Sequence, residues 1–320
     1  MKKQLLKWGV NIMGVVVSFI NMKGGVGKTT LTREIGYHLA YNLRKKVLLI
    51  DIDPQINLTQ SVFKIFGYAQ TKKIAENNQR EAKENEGNES IAKEKKYELT
   101  HASIQNVFNG NLSSENPTEN LKKVILNLDD VSLSIIPGEF GLDFITRNLS
   151  SSQLENGLYN FIEKNKIREK FDYILIDCPP TYSSYTIAAL KTSNFYVIPV
   201  KPEAYSTLGV DMLEKVVKFL ISEDTPYFKD KPLKNLGIII TMVKQNEKVG
   251  IREIINDLKT SSKFKSEGIN VFENEFSYNP QLESRLDYLI DKFNAEKYSK
   301  PNLKKLTKEF INKIERGENK

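Results

Sequence analysis

The sequence predicts a doubly wound α/β fold, a mostly parallel sheet flanked by helices on both faces. Six short runs rich in β-branched residues carry this reading: Val15 to Asn21, Val47 to Asp51, Leu133 to Pro137, Tyr173 to Asp177, Phe195 to Val200 and Leu236 to Met242. Each is apolar at successive positions, so both of its faces are built for burial, as in a strand inside a parallel sheet. Between the runs lie stretches with helical periodicity, the crossovers that parallel strands require. About 40% of the 320 residues are hydrophobic, enough for one large core, and a single domain over residues 1–320 accommodates the alternation.

Composition narrows the class. The formal charge of +7 arises from 47 basic residues against 40 acidic ones, so it bears on a polyanionic partner only where it is concentrated. A single cysteine, Cys178, rules out an internal disulfide, and with only His38 and His101 as histidines a Cys/His metal site is not expected. A reducing, cytoplasmic setting fits. The first twenty residues have a basic start and apolar stretches, but Lys7 and Asn11 interrupt them and no small-residue cleavage site follows. The longest uncharged run, Leu236 to Val243, is far too short to span a bilayer, so a soluble protein is expected.

The first strand feeds the stretch M22-K-G-G-V-G-K-T-T30. A phosphate-binding loop of the ordinary kind opens with glycine, and here Met22 holds that place, followed by a second cation, Lys23. Gly24, Gly25 and Gly27 leave no Cβ in the way, so the backbone N–H groups from Gly24 through Val26 to Gly27 can converge on phosphate oxygens. The following segment repeats Leu31, Ile35, His38 and Leu39 at helical spacing, which places the loop at a helix N-terminus. Lys28 is positioned to reach the β and γ phosphates, Thr29 to offer a hydroxyl to Mg²⁺, and Thr30 to bond the α phosphate. Two ammonium groups in one short loop repel each other unless negative charge lies between them, and bound nucleotide supplies it. Lys28 fills the usual cation position, which leaves Lys23 at the loop entrance free to face another molecule.

The second strand ends in D51-I-D53-P-Q, at the sheet edge where ligands gather in open α/β folds. Pro54 is expected to bend the chain there, so Asp51 and Asp53 can take different roles. Residues 70–99 hold seven basic and seven acidic residues with almost no apolar face and read as an inserted, mobile excursion, with Glu76 and Arg80 spaced to support a solvated helix. The fourth strand closes on Asp177, where a carboxylate can approach Mg²⁺ or its waters, and Pro179 and Pro180 stiffen the exit. Cys178 reads as a small packed residue.

The octet K-G-G-V-G-K-T-T resembles the deviant Walker A motif of the ParA/MinD class of P-loop NTPases. D-x-D-P-Q resembles that family's second motif, the strand ending at Asp177 its Walker B, and Thr241 and Met242 its T-M pair. The resemblance covers most of the chain from Gly14 onward, apart from the charged insertion. It implies that Lys23 reaches across a dimer interface to the partner's ATP, that Asp53 orients the attacking water, and that Asp51 lies nearer the metal. Asp177 and Thr29 would attend Mg²⁺, and Thr241 and Met242 would pass near the adenine. Relatives bind DNA without sequence preference as the ATP dimer. Lys218 falls at a family position often held by arginine, whereas Asn246 stands where another arginine is usual. Lys215 and Lys218, with Lys244, Lys248 and Arg252 as substitutes, are therefore the expected phosphate contacts.

Resemblance to small partition ATPases implies a cytoplasmic, nucleoid-associated ATPase that needs Mg²⁺ and hydrolyses ATP slowly alone. It would dimerise on ATP, bind DNA non-specifically and be released by a ParB-type centromere-binding protein. A MinD-like membrane-associated positioning ATPase is the alternative. The C-terminal segment bears on it, since from Glu296 to Lys320 eight basic residues stand against four acidic ones around the stripe Leu303, Leu306, Phe310 and Ile314. That stripe is narrow and lacks tryptophan, which favours packing on the core over a membrane. An iron–sulfur electron donor would need two cluster cysteines, and a tyrosine autokinase a tyrosine-rich tail.

Overall fold

The computed structural model describes residues 13–85, 96–108, 117–128, 132–293 and 298–318. Its main sheet has eight strands: β1 (Val15–Phe19), β2 (Val47–Asp51), β5 (Leu126–Leu128), β6 (Leu133–Ile136), β7 (Tyr173–Asp177), β8 (Phe195–Val200), β9 (Lys234–Val243) and β10 (Phe276–Ser277). They run side by side in the order β10-β9-β8-β1-β7-β2-β6-β5. All pairings are parallel except β5 with β6 at one edge. The five residues of β1, β2 and β7 are buried throughout, because helices cover both faces. The six expected strands are present. The short edge strands β5 and β10 are additional, since two or three residues carry no periodicity to read.

The longer helices, in chain order, are α1 (Lys28–Tyr41), α2 (Asn57–Phe66), α3 (Lys72–Asn85), α4 (Ser151–Lys164), α5 (Ser184–Thr192), α6 (Ser206–Glu223), α7 (Val249–Thr260) and α8 (Ser299–Glu318). One face of the sheet packs α4, α5, α6 and α7 around Val16, Ile174, Ile198 and Ile240. The other packs α1, α2 and α8 around Val17, Leu49, Leu175 and Ile239. Helix α8 places Leu303, Leu306, Phe310 and Ile314 in the second core, with Phe310 stacked on Phe19 at 6.0 Å. The narrow stripe thus lies against the sheet. No described helix is long and apolar enough to cross a membrane.

Within the charged excursion, α3 is helical, and the small sheet of β3 (Tyr68–Ala69) and β4 (Glu98–Leu99) brackets it. Ala69, Ala75 and Tyr97 form a satellite cluster there. Glu81 pairs with Lys64 of α2 at 2.8 Å. The expected Glu76 and Arg80 pairing is replaced, because the Arg80 guanidinium donates to Asn77 Oδ1 at 2.9 Å. Residues 86–95 of the excursion, and the first twelve residues of the chain, lie outside the described parts.

Candidate active site

The parallel strands all end on one side, and the register decides what meets there. Asp51 of β2 sits opposite Asp177 of β7, and Phe19 of β1 sits opposite Asp177 on its other flank. The chain leaving β1 becomes the loop from Asn21 to Gly27, directly beside both carboxylates. Gly25 and Gly27 have φ of 69° and 85°, a left-handed backbone that glycine adopts without a Cβ penalty, and these turns wrap the loop into the first turn of α1.

The two lysines of the loop diverge. Lys28 is buried, and its Nζ donates to the carbonyl oxygens of Asn21 at 3.2 Å and Lys23 at 3.0 Å, across the base of the loop. Burial lowers its pKa, with Asp177 opposing. Lys23 turns the other way. Its backbone N–H donates to Asn21 Oδ1 at 3.0 Å, while its ammonium, on a side chain 40% exposed, pairs with Glu203 beyond β8. Asn21 in turn donates through Nδ2 to Pro199 O at 2.8 Å, so it ties the loop entrance to β8.

Glu203 drew no attention in the sequence. Its signal was the V-K-P-E stretch closing β8, in a loop at the carboxyl edge of the sheet. The hydrogen bond from Lys23 holds its carboxyl below the usual range.

The three aspartates differ in surroundings. The Thr29 hydroxyl donates to Asp177 Oδ2 at 2.6 Å, while Asp177 Oδ1 is buried with no partner among the described residues. Asp51 is fully buried and accepts at Oδ2 from Thr59 N at 2.8 Å and Thr59 Oγ1 at 2.7 Å, and at Oδ1 from Asp53 N at 3.3 Å. Thr59, in the first turn of α2, is a second residue whose part the sequence did not reveal. Asp53 lies past the end of β2, where its Oδ1 accepts from Gln55 N at 3.0 Å and shapes the turn through Pro54.

Burial raises Asp177 well above the carboxylate range, with Asp51 adding to it, and burial pushes Asp51 up to about 7 against the Thr59 hydrogen bonds. Three carboxylates share the buried end of the sheet with one buried ammonium. That imbalance, together with the orphaned Asp177 oxygen, is what a divalent cation relieves.

Thr241 donates through Oγ1 to Val26 O at 2.9 Å, and a Cβ at Gly27 would meet the Met242 methyl at 3.7 Å. Both residues therefore back the loop itself, and Met242 adopts a φ of 58° to do so. Thr30 is half-buried in the first turn of α1. Among the expected DNA contacts, Lys244 and Arg252 line one cleft of about 380 Å³. Lys244 lies over the Tyr278 ring at 4.9 Å, Arg252 donates to Gln245 O at 3.1 Å, and Lys248 is the N-cap of α7. Lys215 and Lys218 are on α6, outside that cleft. The five are therefore two groups on one side of the sheet.

The sequence and the fold have counterparts among known proteins. A family model described as an AAA domain covers residues 14–229. The sporulation initiation inhibitor protein Soj of Bacillus subtilis is 27% identical over 77% of this chain and 79% of its own. The ATP complex of a singly substituted Cyanothece McdA superposes with a TM-score of 0.67 at 18% identity, over 93% of this chain and 96% of that one. A Borrelia burgdorferi plasmid partition protein bound to AMPPNP gives 0.62 at 20% identity, over 94% and 99%. At such identity the two structures speak for the fold. With the family model spanning most of the chain and the loop, Asp51 and Asp177 meeting at one sheet edge, the protein belongs to the ParA/MinD-type P-loop ATPases.

Proposed function

We propose that the protein is a partition ATPase that closes into a dimer on ATP, binds DNA without sequence preference, and releases it when a centromere-bound partner of the ParB type stimulates hydrolysis. The reading is supported by relatives described as Soj and as plasmid partition proteins. The observation that carries it is the divergence of the two lysines. Lys28 serves the loop from within, whereas Lys23 holds its ammonium at the surface, where a second protomer can meet it.

When bound, ATP would supply the triphosphate to be cleaved, and its Mg²⁺, held by Thr29 and Asp177, would supply the positive charge that favours ionised Asp51 and Asp177. The chain's residues do the rest. The loop N–H groups from Gly24 to Gly27 hold phosphate oxygens, and Lys28 stabilises charge developing between the β and γ positions. Thr29 and Asp177, already hydrogen-bonded, form the metal-side wall, with Asp51 braced by Thr59 behind them. Asp53, outside the strand and adjacent to these carboxylates, orients the water. The exchange of Lys23 from Glu203 to the partner's nucleotide makes ATP part of the dimer contact.

Sedimentation with and without Mg-ATP, followed by addition of mixed-sequence duplex DNA, tests the reading. A monomer that becomes a dimer with ATP and then co-sediments with DNA is expected. A protein that stays monomeric with ATP at every concentration overturns it.

A further inference from the structure

A groove of about 530 Å³ on the outer flank of α8 is lined by Lys305, Lys308, Lys313 and Arg316, with Asn270 and Asn312 beside them. Positions 305, 308, 312 and 316 recur at the i, i+3, i+7, i+11 spacing that puts them on one face of a helix. At 1.5 Å per residue this face runs about 16 Å, long enough to lie alongside several successive phosphates of one nucleic-acid strand, spaced about 3.4 Å along the axis.

The cations are available to a ligand. None of the four is ion-paired with a carboxylate among the described residues. Lys313 is held over the Phe272 ring at 4.8 Å. Of the two acidic side chains in the groove, Glu309 is committed elsewhere. It accepts from Glu273 N at 2.8 Å and from Asn274 N and Nδ2 at 2.9 and 2.8 Å, fixing the turn that forms the groove's other wall. Glu309 keeps its charge within that turn, so with Glu273 the groove sets two acids against four bases and remains net positive.

The placement separates this surface from the ATP site. Asn302, at the start of α8, accepts from Ser277 N of β10 at 3.0 Å, and Gly317, near its end, accepts from Lys234 Nζ at the start of β9 at 2.6 Å. Helix α8 therefore runs from the carboxyl end of β10 toward the amino end of β9, and its basic face leads away from the phosphate loop. Because Leu303, Leu306, Phe310 and Ile314 are spent on the core, the exposed face offers mainly charge and amides, with the half-buried Val271 as the apolar residue of the groove lining, too little to insert into a bilayer. A partner recognised by regularly spaced negative charge alone is a phosphate backbone.

We infer that this face of α8 is a second nucleic-acid contact, which grips the phosphate backbone of duplex DNA independently of Lys215, Lys218, Lys244, Lys248 and Arg252. The inference rests on the DNA-binding reading above and assigns a site to it.

The test is fluorescence anisotropy of a labelled mixed-sequence duplex with the full-length protein and Mg-ATP, comparing wild type with K305A/K308A and K215A/K218A over a salt series. Lys305 and Lys308 are exposed, so the variant should fold, and unchanged ATP affinity and melting temperature check that it does. The expected result for K305A/K308A is at least a tenfold loss of affinity and a log–log salt slope shallower by about 2, one phosphate per lysine. If K215A/K218A weakens binding while K305A/K308A does not, the α8 site is wrong and the DNA-binding reading stands. If wild type binds no duplex, both fall. Binding to phosphatidylglycerol vesicles that K305A/K308A abolishes, with duplex binding intact, assigns the face to membrane and overturns the inference.

Discussion

The ammonium of Lys23 is paired with the carboxylate of Glu203, far along the chain, at the mouth of the phosphate loop. Lys201 flanks the same carboxylate at 3.5 Å. A half-exposed pair of this kind contributes about 0.5 kcal/mol, enough to hold a side chain in place and weak enough to exchange.

Replacing Glu203 by glutamine releases Lys23 from this contact. We expect the ATP-dependent dimer to form at roughly fivefold lower protein concentration, because each symmetric dimer breaks two such pairs, about 1 kcal/mol together. Sedimentation velocity across a concentration series measures it. A weaker dimer in the variant would mean that Glu203 itself belongs to the interface.

The two loop lysines should separate cleanly on substitution. Lys28→Ala removes the cation inside the loop, and tight ATP binding by fluorescent-nucleotide titration is expected to vanish. Lys23→Ala should keep nucleotide binding within a few-fold and lose the dimer. Tight ATP binding by Lys28→Ala would remove the loop from its assigned role.

Asp53→Ala leaves the buried pair of Asp51 and Asp177 in place and takes away the group beyond the strand end. Hydrolysis should fall by a factor of roughly 100 or more, on the scale of a lost positioning or general-base group, with ATP binding retained. The variant should accumulate as an ATP-bound dimer on DNA. Turnover at the wild-type rate would reassign the water to another residue.

The buried carboxylates make a pH prediction. Asp51 has a folded pKa raised to about 7 from an ordinary value of 3.8, so the native state binds more protons than the unfolded chain between those values. Its contribution to the stability of the nucleotide-free protein is therefore fully present below about pH 4 and lost as the pH rises through about 7. Asp51→Asn, which keeps acceptor capacity toward Thr59 without the charge, should melt higher than wild type at about pH 8 and nearly the same at about pH 5. Thermal melts at the two values check this, and an equal difference at both pH values would contradict it.

Helix α8 closes the second core through Phe310, fully buried and stacked on Phe19. Phe310→Ala should cost about 3–5 kcal/mol, read as a lower denaturant midpoint at unchanged slope. A loss below about 1 kcal/mol would mean that the helix is not held to the sheet in solution.

The strands, the glycine loop and the aspartates at 51, 53 and 177 were legible because their signals are local. A run apolar at every position, a glycine that must turn and a carboxylate closing a strand are each written within a few neighbouring residues. The helix of the charged excursion was less so, since it lacks an apolar face and leans on Lys64 and the small β3/β4 sheet. By itself, then, the sequence determined which groups stand at the carboxyl edge of the sheet and in what order along the chain. Only the tertiary structure decided what each one faces. It set Glu203 against Lys23, gave Thr59 to Asp51 and left an oxygen of Asp177 without a partner among the described residues. It also spent Glu309 on a turn, so that the cations beside it keep no carboxylate partner among those residues. The physical reason is range. Strand and turn preferences act between near neighbours, whereas hydrogen bonds and charge pairing act wherever packing brings two groups within about 3 Å, whatever their distance in sequence.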